Sequence, residues 1–240
     1  MPGREAMKFL NYIIHPIIDF IYPPVCCLCQ RLSERKELPV CSSCWSTFTA
    51  VSPANPTWIE IKSKFKNRGN VDDILSCYLF EPEGNLQEVI HLLKYRGMTS
   101  LGVHLGRDIG DAMSGHPELV KADYLVPVPL HKRKKRERGY NQSEFLCKGI
   151  NQIIPIPVVP SLLKRIRYTQ TQTHLDLEER ILNVEDAFIV HVTFIPSIEG
   201  KSFIMVDDMI TTGSTIDACA SQLLSHGASK VFAVSAALAQ

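Results

Sequence analysis

Residues 203–215 read FIMVDDMITTGST, and this stretch narrows the possible folds more than any other part of the chain. Four apolar residues, Phe203, Ile204, Met205 and Val206, run straight into two carboxylates, Asp207 and Asp208. Such an apolar run predicts a strand buried on both faces, as in a parallel sheet. The carboxylates then lie where the strand leaves the sheet, the crevice in which open α/β sheets bind ligands. Thr211, Thr212, Gly213, Ser214 and Thr215 precede a helical pattern. They offer backbone N–H groups and hydroxyls at a helix N-terminus, an arrangement suited to a phosphate. Gly213 lets the backbone approach such a group without a Cβ in the way.

Acidic and phosphate-binding groups side by side demand a ligand with two kinds of surface. Carboxylates repel phosphate but accept hydrogen bonds from sugar hydroxyls. A ribose 5-phosphate presents both. The competing reading is an ordinary strand–turn–helix with an acidic end, which would not explain thirteen consecutive positions that suit one ligand. A formal net charge of +1 over 240 residues excludes a general attraction to nucleic acid or acidic membranes, so any such contact must come from a local patch.

Four of the eight cysteines form Cys26-x2-Cys29 and Cys41-x2-Cys44. Two such knuckles can present four thiolates to one tetrahedral zinc ion. Four protein ligands leave no open position, so the metal would hold structure. Cys27 stands beside the first pair as a bystander or a substitute ligand, and disulfides are the competing use. Cys77, Cys147 and Cys219 fall in apolar surroundings and read as core residues.

Within the first 24 residues, the apolar stretch from Phe9 to Tyr22 is interrupted by Asn11, His15, Pro16 and Asp19, and is too short and too polar to span a bilayer. Phe9, Ile13, Ile17 and Phe20 instead predict a short packed helix kinked near Pro16, and a cytoplasmic protein without stable membrane insertion. Residues 1–50 are expected to hold this helix and the cysteine module, and the Pro-, Ser- and Lys-rich residues 51–70 a linker. Residues 71–240 alternate strand and helix patterns and predict a doubly wound, mainly parallel sheet. Strands are expected over 71–80, 124–130, 157–160, 187–192 and 230–238. Lys94 and Arg96 suit the negative end of a helix that stops at Gly97, although the same cations could reach a phosphate.

Residues 132–138 carry six basic side chains, Lys132, Arg133, Lys134, Lys135, Arg136 and Arg138, opposed only by Glu137. The run follows a strand that ends at the same crevice. It can be a solvated face, a pyrophosphate site or a nucleic-acid contact, with Tyr140 beside it able to stack on a base. Residues 164–173 are cationic and rich in hydroxyls, and suit either a loop closing over a ligand or a surface connector.

Several of these pieces occur together in order: the cysteine knuckles, LKYRG at 93–97, VPVP at 126–129, RGYNQ at 138–142, a Thr–Gln-rich loop followed by Arg180 and Asn183, and the acidic stretch at 203–215. The chain resembles the ComF proteins, competence-associated and phosphoribosyltransferase-like. It has TQTQ at 169–172 where that family commonly has Thr-Pro-Pro-Gln. The resemblance implies a type I phosphoribosyltransferase fold, with a five-stranded parallel sheet and a small hood behind the zinc module. It implies phosphoribosyl pyrophosphate (PRPP) or a related ribose phosphate as ligand, with Mg²⁺ on its oxygens. Leu130, His131, Lys132 and Arg133 would form the pyrophosphate loop. Residues 164–172 would be the flexible catalytic loop, with Arg165 and Arg167 joining Asp207 and Asp208 as catalytic groups. It further implies a role in natural transformation with single-stranded DNA and with competence helicase or uptake proteins as partners.

Overall fold

The computed structural model describes residues 23–33, 38–167 and 187–239, and the chain divides into two compact units, residues 1–47 and 48–240. The helix expected over the first 24 residues, the Thr–Gln stretch at 169–172, Arg180 and Asn183 lie outside the described residues.

In the first unit, an antiparallel bridge between Val25 and Leu32 closes a turn that carries Cys26 and Cys29. Cys26 N–H donates to the Arg31 carbonyl (2.8 Å) and Gln30 N–H to the Cys26 carbonyl (2.8 Å). Cys41 precedes the short helix α1 (Ser42–Trp45), which carries Cys44.

The second unit is built on four parallel strands, β1 (Asp73–Phe80), β2 (Tyr124–Pro127), β5 (Ser202–Ile210) and β6 (Lys230–Ala239), in the order β1-β6-β5-β2. The central strands β5 and β6 are the most apolar, with Phe203, Ile204, Met205 and Val206 of β5 buried. Parallel strands need crossovers, and here helices supply them: α3 (Asn85–Tyr95), α4 (Thr99–Met113), α5 (Pro117–Val120), α6 (Lys132–Arg138), α7 (Gln142–Ile153) and α8 (Ser214–Ser225). A small antiparallel pair, β3 (Leu163–Arg165) with β4 (Phe188–Val190), stands apart from the main sheet.

Three expectations are corrected. The five-stranded sheet has four strands among the described residues; the fifth segment makes a single parallel bridge, Val158 to Leu125. Pro157 and Pro160 flank that bridge and have no N–H to extend the ladder. The strand expected at 187–192 is β4, which pairs antiparallel outside the main sheet. Residues 51–70 are no linker, because they hold helix α2 (Pro56–Arg68). Its N-cap Asn55 accepts from Trp58 N–H at 3.0 Å, and Pro56 takes the first helical position. Ile61 and Phe65 are buried in the core with Phe203, Met205 and Ile216.

The opposite face of the sheet is covered by α4 and α7, which approach backbone to backbone. A Cβ on Gly106 of α4 would lie 2.1 Å from the Leu146 carbonyl oxygen, and one on Gly149 of α7 2.1 Å from that of Val103. Gly102 and Gly110 continue the same stripe of α4, spaced one helical turn apart. This close approach sets where the first turn of α7 meets the end of β5. Gly149→Ala is therefore expected to cost about 1–3 kcal/mol by overpacking, read as a lowered urea midpoint. The same change at the exposed Gly115, where a Cβ meets only one atom at 3.8 Å, should leave the midpoint in place.

Candidate functional site

Asp207 and Asp208 are adjacent near the C-terminal end of β5, and both reach the first turn of α7. Asp208 points toward α3 and α7 and is 3% exposed. Its Oδ1 accepts from Gln142 Nε2 at 2.7 Å, and its Oδ2 forms an ion pair with the Lys94 ammonium. Asp207, half-buried, accepts from Ser143 Oγ at 3.1 Å and from Asp208 N–H at 2.9 Å. Burial, and then the negative charge of Asp208, push the Asp207 carboxyl up to about 7.

Gln142 and Ser143 are the first residues of α7, whose N-cap Asn141 accepts from Ser143 N–H (3.2 Å) and donates to the Val128 carbonyl (2.9 Å). Residues 126–129 and the acid pair are thus tied together by one capped helix end. Sequence reasoning missed Gln142 and Ser143 as site residues, and gave Lys94 only as a helix-end cation able to reach a phosphate, not as the partner of Asp208. The cap was legible in Asn141 followed by a helical pattern; the pairing of Lys94 had no local signal.

The basic run is helical. α6 starts at Lys132, with His131 as N-cap accepting from Arg133 N–H at 3.2 Å, so only Leu130 and His131 of the expected pyrophosphate loop precede it. Helical spacing splits the run into two faces. Lys134 and Arg138, four apart, are half-buried, whereas Lys132, Arg133, Lys135 and Arg136 are exposed. Burial, and then the positive charges of Arg165, Arg138 and Lys94, pull Lys134 below its usual range. Arg165 is itself held down by burial, lies 5.3 Å over the Phe188 ring and feels the charge of Asp207. Arg138 donates to Gln142 Oε1. Of these cations, Lys94 pairs with Asp208, Arg138 reaches Asp208 through Gln142, Arg165 feels Asp207, and Lys134 lies among all three. Arg167 is exposed. Tyr140 is engaged within the protein, its hydroxyl donating to the Leu93 carbonyl and its ring meeting Phe145 edge-on, which argues against the base-stacking role expected for it.

Beyond Ile210 the chain turns through Thr211 and Thr212, both exposed, to Gly213, the N-cap of α8, at φ 77°. A Cβ on Gly213 would lie 2.4 Å from the Phe65 ring of α2, so glycine is required twice, by backbone and by space. Thr212 Oγ1 and Ser214 Oγ are 2.9 Å apart, and Lys64 of α2 donates to the Thr212 carbonyl at 2.7 Å. Ser214 and Thr215 open the helix, where first-turn N–H groups have no intrahelical partner. The turn offers donors and a helix N-terminus close after the acid pair.

In the first unit, one sulfur each from Cys26, Cys29, Cys41 and Cys44 lie within 4.8 Å of one another. Zn–S bonds of about 2.3 Å at tetrahedral angles separate sulfurs by about 3.8 Å. Cys29 Sγ and Cys41 Sγ stand 3.8 Å apart, so the set could hold a structural metal such as zinc. Cys27 is outside this set, and its N–H donates to the Pro39 carbonyl (2.7 Å). Cys147 and Cys219 are fully buried and Cys77 partly so.

Two measurements test this geometry. Metal analysis should find one equivalent in the wild type and in Cys27→Ser, and loss of it in Cys29→Ser or Cys44→Ser. For the acid pair, a carboxyl near 7 in the folded protein and about 3.9 when unfolded keeps a proton on folding between those values. Its contribution to stability is fully present below about pH 4 and is lost as pH rises through 7. Asp207→Asn, which does not ionise, should therefore melt higher than the wild type at pH 8, with the difference vanishing near pH 4.

No protein-family model matches the chain. It is 27% identical over 212 residues to the DNA utilization protein YhgH of Salmonella typhimurium, covering 86% of this chain and 87% of that protein. It is 25% identical over 218 residues to competence protein F of Haemophilus influenzae, with the same coverage of each. A solved glutamine PRPP amidotransferase from B. subtilis is similar over 56% of this chain and 26% of its own, at 20% identity and a TM-score of 0.36. The chain is a homologue of competence protein F and YhgH, the ComF-type proteins that its ordered motifs resemble.

Proposed function

We propose that this protein binds PRPP, or a closely related ribose phosphate, in a site of type I phosphoribosyltransferase kind, and serves the handling of single-stranded DNA in the cytoplasm. One observation carries the reading: the acid pair lies near the end of β5, which after Met209 and Ile210 passes into a left-handed glycine turn at a helix start, with Lys94 and Arg165 close to the pair. Sugar hydroxyls suit Asp207, a 5-phosphate suits the turn at 211–215, and a pyrophosphate suits Lys134, Arg138 and Arg165. The DNA half of the reading rests on the names of the relatives and on the exposed cations of α6. Among the described residues, no helix is long and apolar enough to cross a membrane.

Zinc is the metal we assign to Cys26, Cys29, Cys41 and Cys44, where it would brace the first unit. Mg²⁺ would neutralise pyrophosphate charge when the ligand is bound. Both oxygens of Asp208 are engaged by Gln142 and Lys94, so Asp207 and the ligand's own oxygens would hold that ion. In a transfer reaction the cations would stabilise departing pyrophosphate, while Asp207 faces the positive charge developing on the sugar. The engagement of Asp208 favours a second reading, in which the ribose phosphate is a regulatory ligand and no transfer occurs.

Calorimetric titration of PRPP with Mg²⁺ should show saturable binding. Loss of a hydrogen bond to a charged group is worth about 1.5–3 kcal/mol, so Asp207→Asn should weaken binding about ten- to a hundred-fold. Absence of binding by wild-type protein at millimolar PRPP would overturn the reading. Pyrophosphate release in the presence of single-stranded DNA separates transfer from regulation.

A further inference from the structure

Tyr95 ends α3 with its side chain 66% exposed. The buried face of this helix is Leu86, Val89, Ile90, Leu92 and Leu93, so packing does not call for an aromatic ring at position 95. Two neighbouring groups nevertheless contact the ring. The Arg138 guanidinium lies 5.3 Å from its centroid, and the His91 ring, one turn earlier, is 5.1 Å away at 44°. The same Arg138 donates to Gln142, Gln142 donates to Asp208, and Asp208 pairs with Lys94, the residue before Tyr95. A closed chain of contacts therefore fixes this solvent-facing ring at the rim of the acid-pair site.

We propose that Tyr95 is a stacking platform for an unpaired nucleobase of a single-stranded nucleic acid, whose phosphates run along the exposed Lys132 and Arg136 of α6. The proposal rests on the DNA-handling reading above and names the surface that performs it. An aromatic face accepts any base, and an adjacent guanidinium strengthens the stack. Duplex DNA hides its base faces, so such a site selects single strands. The division of α6 gives each half of the basic run a task. Lys134 and Arg138 turn toward the acid pair, while Lys132 and Arg136 face solvent, where a sugar–phosphate backbone would pass.

The test is fluorescence anisotropy with a labelled oligothymidylate and a strand of equal length made of abasic sites. Tyr95→Ala should weaken the oligothymidylate about five- to a hundred-fold and leave the abasic strand unchanged, whereas Tyr95→Phe should stay within about twofold of wild type. Replacing Lys132 and Arg136 together by Gln should weaken both strands alike and flatten the salt dependence. Equal losses on both strands for Tyr95→Ala, or no loss at all, would overturn the stacking site. If wild-type protein binds neither strand, the DNA-handling reading fails with it, and PRPP titration of the same sample shows whether the sugar-phosphate site stands.

Discussion

The carboxylate of Asp208 is the interaction around which the site is organised. A charge this buried costs several kcal/mol to desolvate and persists only where partners surround it. Lys94 and Gln142 are those partners, and they come from two different helices. The ion pair therefore joins the end of α3, the start of α7 and the end of β5. Arg138 is added through Gln142, and Asp207 is left as the carboxylate facing a ligand. The two adjacent aspartates divide the labour by partner, Asp208 taking Gln142 and Lys94 and Asp207 taking Ser143. Asp207, its carboxyl pushed up to about 7, is about half ionised at neutral pH and takes on a destabilising charge as pH rises further, a perturbation common at ligand sites.

That arrangement depends on how closely two helices can lie. The glycine stripe of α4 brings α7 nearer than any side chain would allow, and the cap at Asn141 then aims Gln142 and Ser143 at the two aspartates. On the opposite face, α2 places Phe65 against Gly213 and Lys64 on the Thr212 carbonyl, and so braces the turn that would hold a phosphate. Core packing and site geometry are here the same contacts.

Much of this was legible in the chain. The buried strand, acid pair, turn and following helix were read from one continuous stretch, as were the cysteine knuckles and the glycine stop after α3. The misreadings have physical causes. Residues 51–70 looked like a linker because composition was weighed above the Asn55–Pro56 helix start and the spacing of Trp58, Ile61 and Phe65. Lys132 and Arg133 were placed in a pyrophosphate loop by the family resemblance, and the charge pattern alone did not show that a helix starts at Lys132. In the fold, Glu137 pairs with Arg133 and Glu144 with Lys135, and the His131 cap closes the first turn.

By itself the sequence determined the features whose partners are near neighbours along the chain. These are the order of carboxylates and hydroxyls on leaving β5, the requirement for glycine at 213, and the spacing that brings two cysteines into each knuckle. Local backbone geometry dictates them, so a few residues suffice to read them. Only the tertiary structure decided which aspartate is engaged by Lys94, which faces of α6 meet the site and the solvent, and which tyrosine stays exposed. Those outcomes depend on side chains from separate elements meeting across the sheet, and no local pattern encodes such distances.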